Sequence, residues 1–154
     1  MTEEWLQQNA LWIIVDPWYP HPYLEDHKYH PQINVDLERT SEKILQYTSL
    51  LKYVVVSMSL KKNDIERKLN PKFSSLRNIE SNEGYVHRFC KIKKIQDIVF
   101  CGFHYERCIL NNSVGAKNMS KHYNVYVKKD LCAALKSDNP KILDEITKLY
   151  AIII

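Results

Sequence analysis

Glycine is scarce in this chain, with three in 154 residues, so a glycine that interrupts an apolar run reads as a stop. No apolar run approaches membrane-spanning length, which argues against a spanning helix and a membrane partner. The amino-terminal MTEEWLQQ is acidic and polar, unlike a secretory signal. The four cysteines, Cys90, Cys101, Cys108 and Cys132, contain no CxxC pair. Without a signal segment, they fit reduced thiols in a cytoplasmic protein better than disulfides or a zinc site. Dense charge of one sign is missing as well. The 22 basic and 18 acidic residues are well mixed and leave a net charge of +4. Lys61-Lys62, Lys91-Lys93-Lys94 and Lys128-Lys129 are short clusters that suit solvated faces, so no nucleic-acid partner is expected. There are no internal repeats and no low-complexity linker, which makes residues 1–154 a single domain with one substantial core.

What is present is ordinary for a soluble globular protein: 45% hydrophobic and 26% charged residues. Abundant lysine, isoleucine, tyrosine and asparagine beside little glycine suggest an AT-rich genome, as in many viruses.

Residues 1–9 predict a polar arm or a short helix. Leu11 to Val15 is five consecutive apolar residues closed by Asp16-Pro17, a buried strand with Asp16 at its carboxyl edge. Residues 17–33 are rich in proline, histidine and tyrosine and read as an irregular loop. The spacing of His21, Asp26, His27 and His30 fits no metal-ligand motif, so no metal is expected. From about Asn34 to Leu51 the period is helical, with Leu37, Ser41, Ile44, Leu45, Thr48 and Leu51 on one face. Tyr53 to Val56 is a second strand, expected to be buried on both faces. Strand, helix, strand implies a βαβ unit and a parallel sheet. Asp64 to Leu69 could hold one or two helical turns, which Asn70-Pro71 breaks. Glu83 to Lys94 reads as a helix, Tyr123 to Val127 as a strand, and Asn139-Pro140 as the start of a last helix to about Leu149. Ile152 to Ile154 is either a closing strand or an apolar terminus.

The chain is organised around Ile98 to Ala116. Ile98-Val99-Phe100-Cys101 is an apolar run stopped by Gly102. After Cys108, Ile109, Leu110, Val114 and Ala116 recur at roughly helical spacing, which predicts strand, turn, then a helix to about Lys121. Cys108 near a helix start would feel free N–H groups that favour thiolate over thiol, and the thiolate is the nucleophile. On this stretch alone, burial as a small apolar residue is the commoner fate of such a cysteine.

Gly102-Phe103-His104-Tyr105-Glu106-Arg107-Cys108-Ile109 resembles the nucleophile segment of the isochorismatase-like cysteine hydrolases, a superfamily that includes isochorismatases, nicotinamidases and N-carbamoyl amidohydrolases. The pattern there is glycine, apolar residue, three or four variable positions, cysteine, aliphatic residue. Tyr123 to Asp130, followed by Leu131-Cys132-Ala133-Ala134, resembles the family's next strand with its aspartate. Asp16 matches the catalytic aspartate after the first strand, although Pro17-Trp18 replaces the usual apolar residue and glutamine. Lys72-Phe73-Ser74-Ser75-Leu76 resembles the lysine segment. The likeness covers about residues 10–136. The Asp-x-His metal motif of nicotinamidases is absent, because the second strand runs into Ser57-Met58-Ser59.

The resemblance implies a three-layer α/β/α sandwich with a mostly parallel, Rossmann-like sheet, trimmed relative to the family. It implies cysteine-dependent hydrolysis of a small amide, carbamoyl or related substrate, with no cofactor. Asp16 would be the general base, Lys72 the cation that lowers the thiol pKa, and Cys108 the nucleophile of an acyl-enzyme mechanism. The backbone N–H groups of His104 and Cys108 would form the oxyanion hole, with Trp18, Phe103 and Tyr105 as pocket walls. Relatives are usually dimers or larger, so a homo-oligomer is expected. The alternative is a catalytically degenerate binding or interaction protein on the same fold, which the altered Pro17-Trp18 segment favours.

Overall fold

A computed structural model of the protein describes residues 1–17, 33–59, 69–103, 108–133 and 140–154. The elements in chain order are α1 (Glu3–Asn9), β1 (Leu11–Val15), α2 (Ile33–Thr48), β2 (Tyr53–Ser57), a single 3-10 turn (Pro71–Phe73), α3 (Glu83–Lys93), β3 (Asp97–Phe103), α4 (Cys108–Asn111), α5 (Ala116–Met119), β4 (Asn124–Ala133), α6 (Pro140–Thr147) and β5 (Ile152–Ile153). The five strands form one parallel sheet in the order β2-β1-β3-β4-β5. This is the expected α/β class with helices on both faces.

Strand alternation sorts the core into two layers. Leu11, Ile13, Val15, Ile98, Phe100, Val125 and Val127 point to one face, where Val86 and Cys90 of α3, Ile109 and Leu110 of α4 and Met119 of α5 cover them. Trp12, Ile14, Val56, Val99, Cys101 and Phe103 point to the other. There they meet Leu6 of α1, Leu37 and Ile44 of α2 and Phe73 of the 3-10 turn. Both faces of β1 and β3 are therefore buried, and their near-continuous apolar runs follow from that. β2 is an edge strand, so Tyr53 and Val54 are half-buried and only Val55 to Ser57 are buried. The expectation of a strand buried on both faces fails at that end for this reason.

Local chemistry sets the element ends. Thr2 caps α1 and Asn82 caps α3, each through a side-chain oxygen that accepts a backbone N–H. Lys94 closes α3 in the left-handed conformation, with φ 57° and ψ 42°. α2 stops at Thr48, short of the expected Leu51. The helix predicted from Cys108 to Lys121 is instead two short helices. Gly115 sits between them, and a Cβ there would lie 2.7 Å from the Asn112 carbonyl oxygen, so the turn closes tightly over the end of α4. β4 runs to Ala133, well past Val127, because its register against β3 shifts after Phe100↔Val127 and resumes at Gly102↔Cys132. Ile152 and Ile153 are a closing strand beside Tyr126 and Val127.

Candidate functional site

The sequence of crossovers positions the candidate site. The chain leaves β1 to form β2 on one side, then returns to place β3 on the other. Strand order therefore reverses between β1 and β3, and in open α/β sheets ligands bind outside the carboxyl ends of strands at such a switch point. Asp16 follows β1 directly, and Cys108 opens α4 after β3. Val15 pairs with Gly102, so the two strands end side by side. Asp16 and Cys108 thus belong to the same end of neighbouring parallel strands, as the two runs ended by turn signals predict.

Gly102 makes the approach of these strands possible. It has φ 115°, and a Cβ there would lie 2.4 Å from the Val15 carbonyl oxygen and 2.7 Å from the Val15 nitrogen. Those distances are prohibitive for any other residue. Asp16 itself is buried and left-handed, with φ 47°. Its N–H donates to the Ser57 carbonyl at 3.0 Å, which continues the β1–β2 ladder one residue beyond the strand. A short polar side chain is among the few that tolerate this conformation.

The 3-10 turn carrying Lys72 is docked onto the same corner. The Asn70 N–H donates to the Pro17 carbonyl at 2.8 Å. The Asn70 side-chain oxygen accepts the Lys72 N–H at 3.0 Å, and its amide reaches the Ser41 hydroxyl on α2 at 3.4 Å. Asn70 is buried. It joins β1's carboxyl end, α2 and the lysine segment. Lys72 Nζ is ion-paired with Glu42 of α2, and its side chain is 40% exposed. A cavity of about 240 Å³ lies here, and Glu38, Asn70, Pro71 and Lys72 are among its lining residues.

Cys108 is half-buried and packs against the α3-side core. It heads a four-residue helix, so it meets the orphan N–H groups of one turn rather than the field of the long helix expected. In the other three thiols burial favours the protonated form. Burial pushes Cys101 up to about 12, and Asp130 adds to the effect. Burial pushes Cys90 up to about 11, opposed by a hydrogen bond with Tyr123. Cys132 is raised by burial and then by Cys101. None of the four cysteines is in a disulfide.

Phe103 is wholly buried among the residues of the α2-side core. Asp130 lies within β4, mostly exposed and 3.0 Å from Lys128. Trp18, His104 and Tyr105 lie outside the described residues, as do His21, Asp26, His27, His30 and most of the Asp64–Leu69 segment. Two residues at this corner escaped the sequence reading. Glu42, the partner of Lys72, had no signal beyond an exposed helical position. Asn70 had one: asparagine before proline is a helix-start signature, with the side chain as cap and proline at the first position.

No family model and no curated protein matches this sequence. Solved structures do match. The MAR1 ribonuclease of Caenorhabditis elegans superposes with a TM-score of 0.63 at 15% identity, covering 96% of this chain and 77% of its own. The YcaC gene product of Escherichia coli, described as an octameric hydrolase of unknown specificity, gives 0.61 at 13% identity, with coverage of 95% and 74%. An isochorismatase-like hydrolase from Alkaliphilus metalliredigens gives 0.59 at 11% identity, with coverage of 96% and 93%. These superpositions show that the chain has the isochorismatase-like α/β fold.

Proposed function

We propose that this protein is a cysteine hydrolase of a small amide, carbamoyl or related substrate, acting through Asp16, Lys72 and Cys108. The observation that carries the reading is the placement of a buried aspartate and a half-buried cysteine at the carboxyl ends of the strands flanking the switch point. The structural neighbours support it. They include a cysteine hydrolase from Pseudomonas syringae and an N-carbamoylsarcosine amidase from Thermoplasma acidophilum. In this mechanism Asp16 takes the Cys108 proton, and the sulfur attacks the substrate carbonyl carbon. The resulting oxyanion is received by backbone N–H groups at His104 and Cys108. The C–N bond breaks, the amine leaves with the proton from Asp16, and water hydrolyses the thioester. Lys72 supplies the cation that favours the thiolate once Asp16 has taken the proton. The substrate is small, in keeping with a cavity of about 240 Å³ beside Asn70 and Lys72. The octameric assembly described for the YcaC gene product supports a homo-oligomer.

One observation favours the second reading, a binding or interaction protein that has lost the chemistry: Lys72 is held by Glu42 on the outside of α2. A limiting amount of iodoacetamide at neutral pH, followed by peptide mass spectrometry, separates the two. The hydrolase reading requires Cys108 to be alkylated well ahead of Cys90, Cys101 and Cys132, and to slow in Asp16→Asn. Equal labelling of Cys108 and a denatured-state cysteine would leave only the binding protein.

A further inference from the structure

A second pocket lies at the opposite end of the strands. The last turns of α3, the joint leading into β3 and the turn before β4 border an open groove of about 390 Å³. His87, Lys91, Lys94, Gln96, His122 and Tyr123 line it. Gln96 and Tyr123 immediately precede β3 and β4, so this groove sits at the amino ends of the strands, away from Asp16. The Asn124 N–H donates to the Gln96 carbonyl at 2.9 Å and ties the two sides together.

The wall is an ordered polar network. The Tyr123 hydroxyl is 2.7 Å from His87 Nδ1, and a Glu83 carboxylate oxygen is 3.3 Å from His87 Nε2. The His122 ring meets the His87 ring edge-on at 5.2 Å. The Glu83 carboxylate stands behind His87 and is the acidic group beside this wall. Asp97, which follows Gln96, bonds instead to Tyr126 and Asn124, and Tyr126 belongs to the core of the other face.

This chemistry discriminates between ligands. A soft metal would want histidine nitrogens and a thiolate. Both His87 nitrogens already have partners, Cys90 is buried with its thiol pushed up to about 11, and two ammonium groups repel a cation. An anion is attracted by the lysines, and the Glu83 carboxylate that opposes it is engaged by His87. Lys94 adds a further point. It occupies the left-handed position after α3, which glycine takes with less strain, and it thereby keeps a cation at the groove.

We propose that this groove is a binding site for a small phosphate-class dianion, held by the Lys91 and Lys94 ammonium groups with Gln96 and His122 donating hydrogen bonds. The test is a titration of the whole chain with inorganic phosphate at constant ionic strength, following the His87 and His122 ring resonances by NMR. Saturable shifts of both rings are expected. Lys94→Gly should weaken phosphate binding about fivefold while raising Tm, because the backbone strain is relieved. Lys91→Gln should weaken it by a similar factor with no gain in Tm. Neither variant should alter alkylation of Cys108, so a failure here is distinct from a failure of the hydrolase reading. Shifts that grow linearly without saturation, unchanged affinity in the Lys91→Gln/Lys94→Gly double variant, or saturation by zinc in place of phosphate would each overturn the proposal.

Discussion

Gly102 stands opposite Val15 in the parallel β1–β3 pair, and the Val15 carbonyl oxygen occupies the space, 2.4 Å away, where a Cβ on Gly102 would have to go. The closeness of the two strand ends that carry Asp16 and Cys108 depends on this one missing side chain. Gly102→Ala combines a backbone clash with a φ of 115° that L residues rarely adopt. A loss of about 3 kcal/mol or more is expected in urea unfolding. Gly84→Ala has its nearest contacts with two side chains; it should cost far less and serves as the control. Equal midpoints for the two variants would mean that the strand ends can separate freely.

The buried thiols give the fold an alkaline limit. Cys90 and Cys101 hold their protons to about 11 and about 12 in the folded state, against an ordinary value of 9.0. Above pH 9 the unfolded chain therefore releases protons that the folded chain keeps. Stability is full below pH 9 and falls as pH rises toward 12, by several kcal/mol if both thiols contribute. Cys101→Ala should flatten this slope even if it lowers stability at pH 7. A denaturation series at pH 7 to 10.5 checks it, and parallel slopes for wild type and variant would remove Cys101 as the cause.

Lys72 has two candidate carboxylate partners, the Glu42 it contacts and the Asp16 it serves in the proposed mechanism. Lys72→Ala should slow Cys108 alkylation at neutral pH and shift its profile to higher pH, whereas Lys61→Ala and Lys62→Ala should not. Glu42→Gln removes an exposed ion pair, so stability should change by about 0.5 kcal/mol or less. The same substitution should speed alkylation if Glu42 draws the lysine outward. Unchanged pH profiles in both variants would make Lys72 a surface residue.

Asn70→Ala keeps the N–H that reaches Pro17 but deletes the cap on the 3-10 turn and the link to Ser41. The expected cost is about 1–2 kcal/mol. A stronger test is local. Amide exchange at Phe73 and Leu76 should quicken more than at Val99 in the sheet, and uniform acceleration would show that the asparagine stabilises the whole fold without holding this corner in particular.

The parallel core was legible because both faces of β1 and β3 are buried. Unbroken apolar runs such as Leu11 to Val15 and Ile98 to Cys101 then carry the signal without any need for alternation. The reversal that makes the site was not legible, since strand order is a property of crossovers and not of residues. The apolar reading of β4 stopped at Val127 because Lys128, Lys129 and Asp130 carry charge, although the family resemblance ran on to Asp130. In the fold the Lys128 side chain is only 11% exposed and is paired with Glu3 and Asp130, so a charged residue sits inside a strand. The helix after Cys108 was overextended because Ile109, Leu110, Val114, Ala116 and Met119 do share a core. They reach it from two separate turns around Gly115, a geometry that helical spacing imitates. The positions of Asp16 and Cys108 after apolar runs were legible in the chain, their candidacy came from the family resemblance, and the aspartate's left-handed backbone had no signal.

β3 runs through the centre of the sheet for seven residues, with the groove of Lys91 and Lys94 at its beginning and the Cys108 corner beyond its end. Seven strand residues span about 20 Å, which is about two screening lengths at physiological ionic strength. Lys91 and Lys94 are exposed, so ions in the solvent screen much of their field over that distance. The strand acts as a spacer that sets the distance between the two ends.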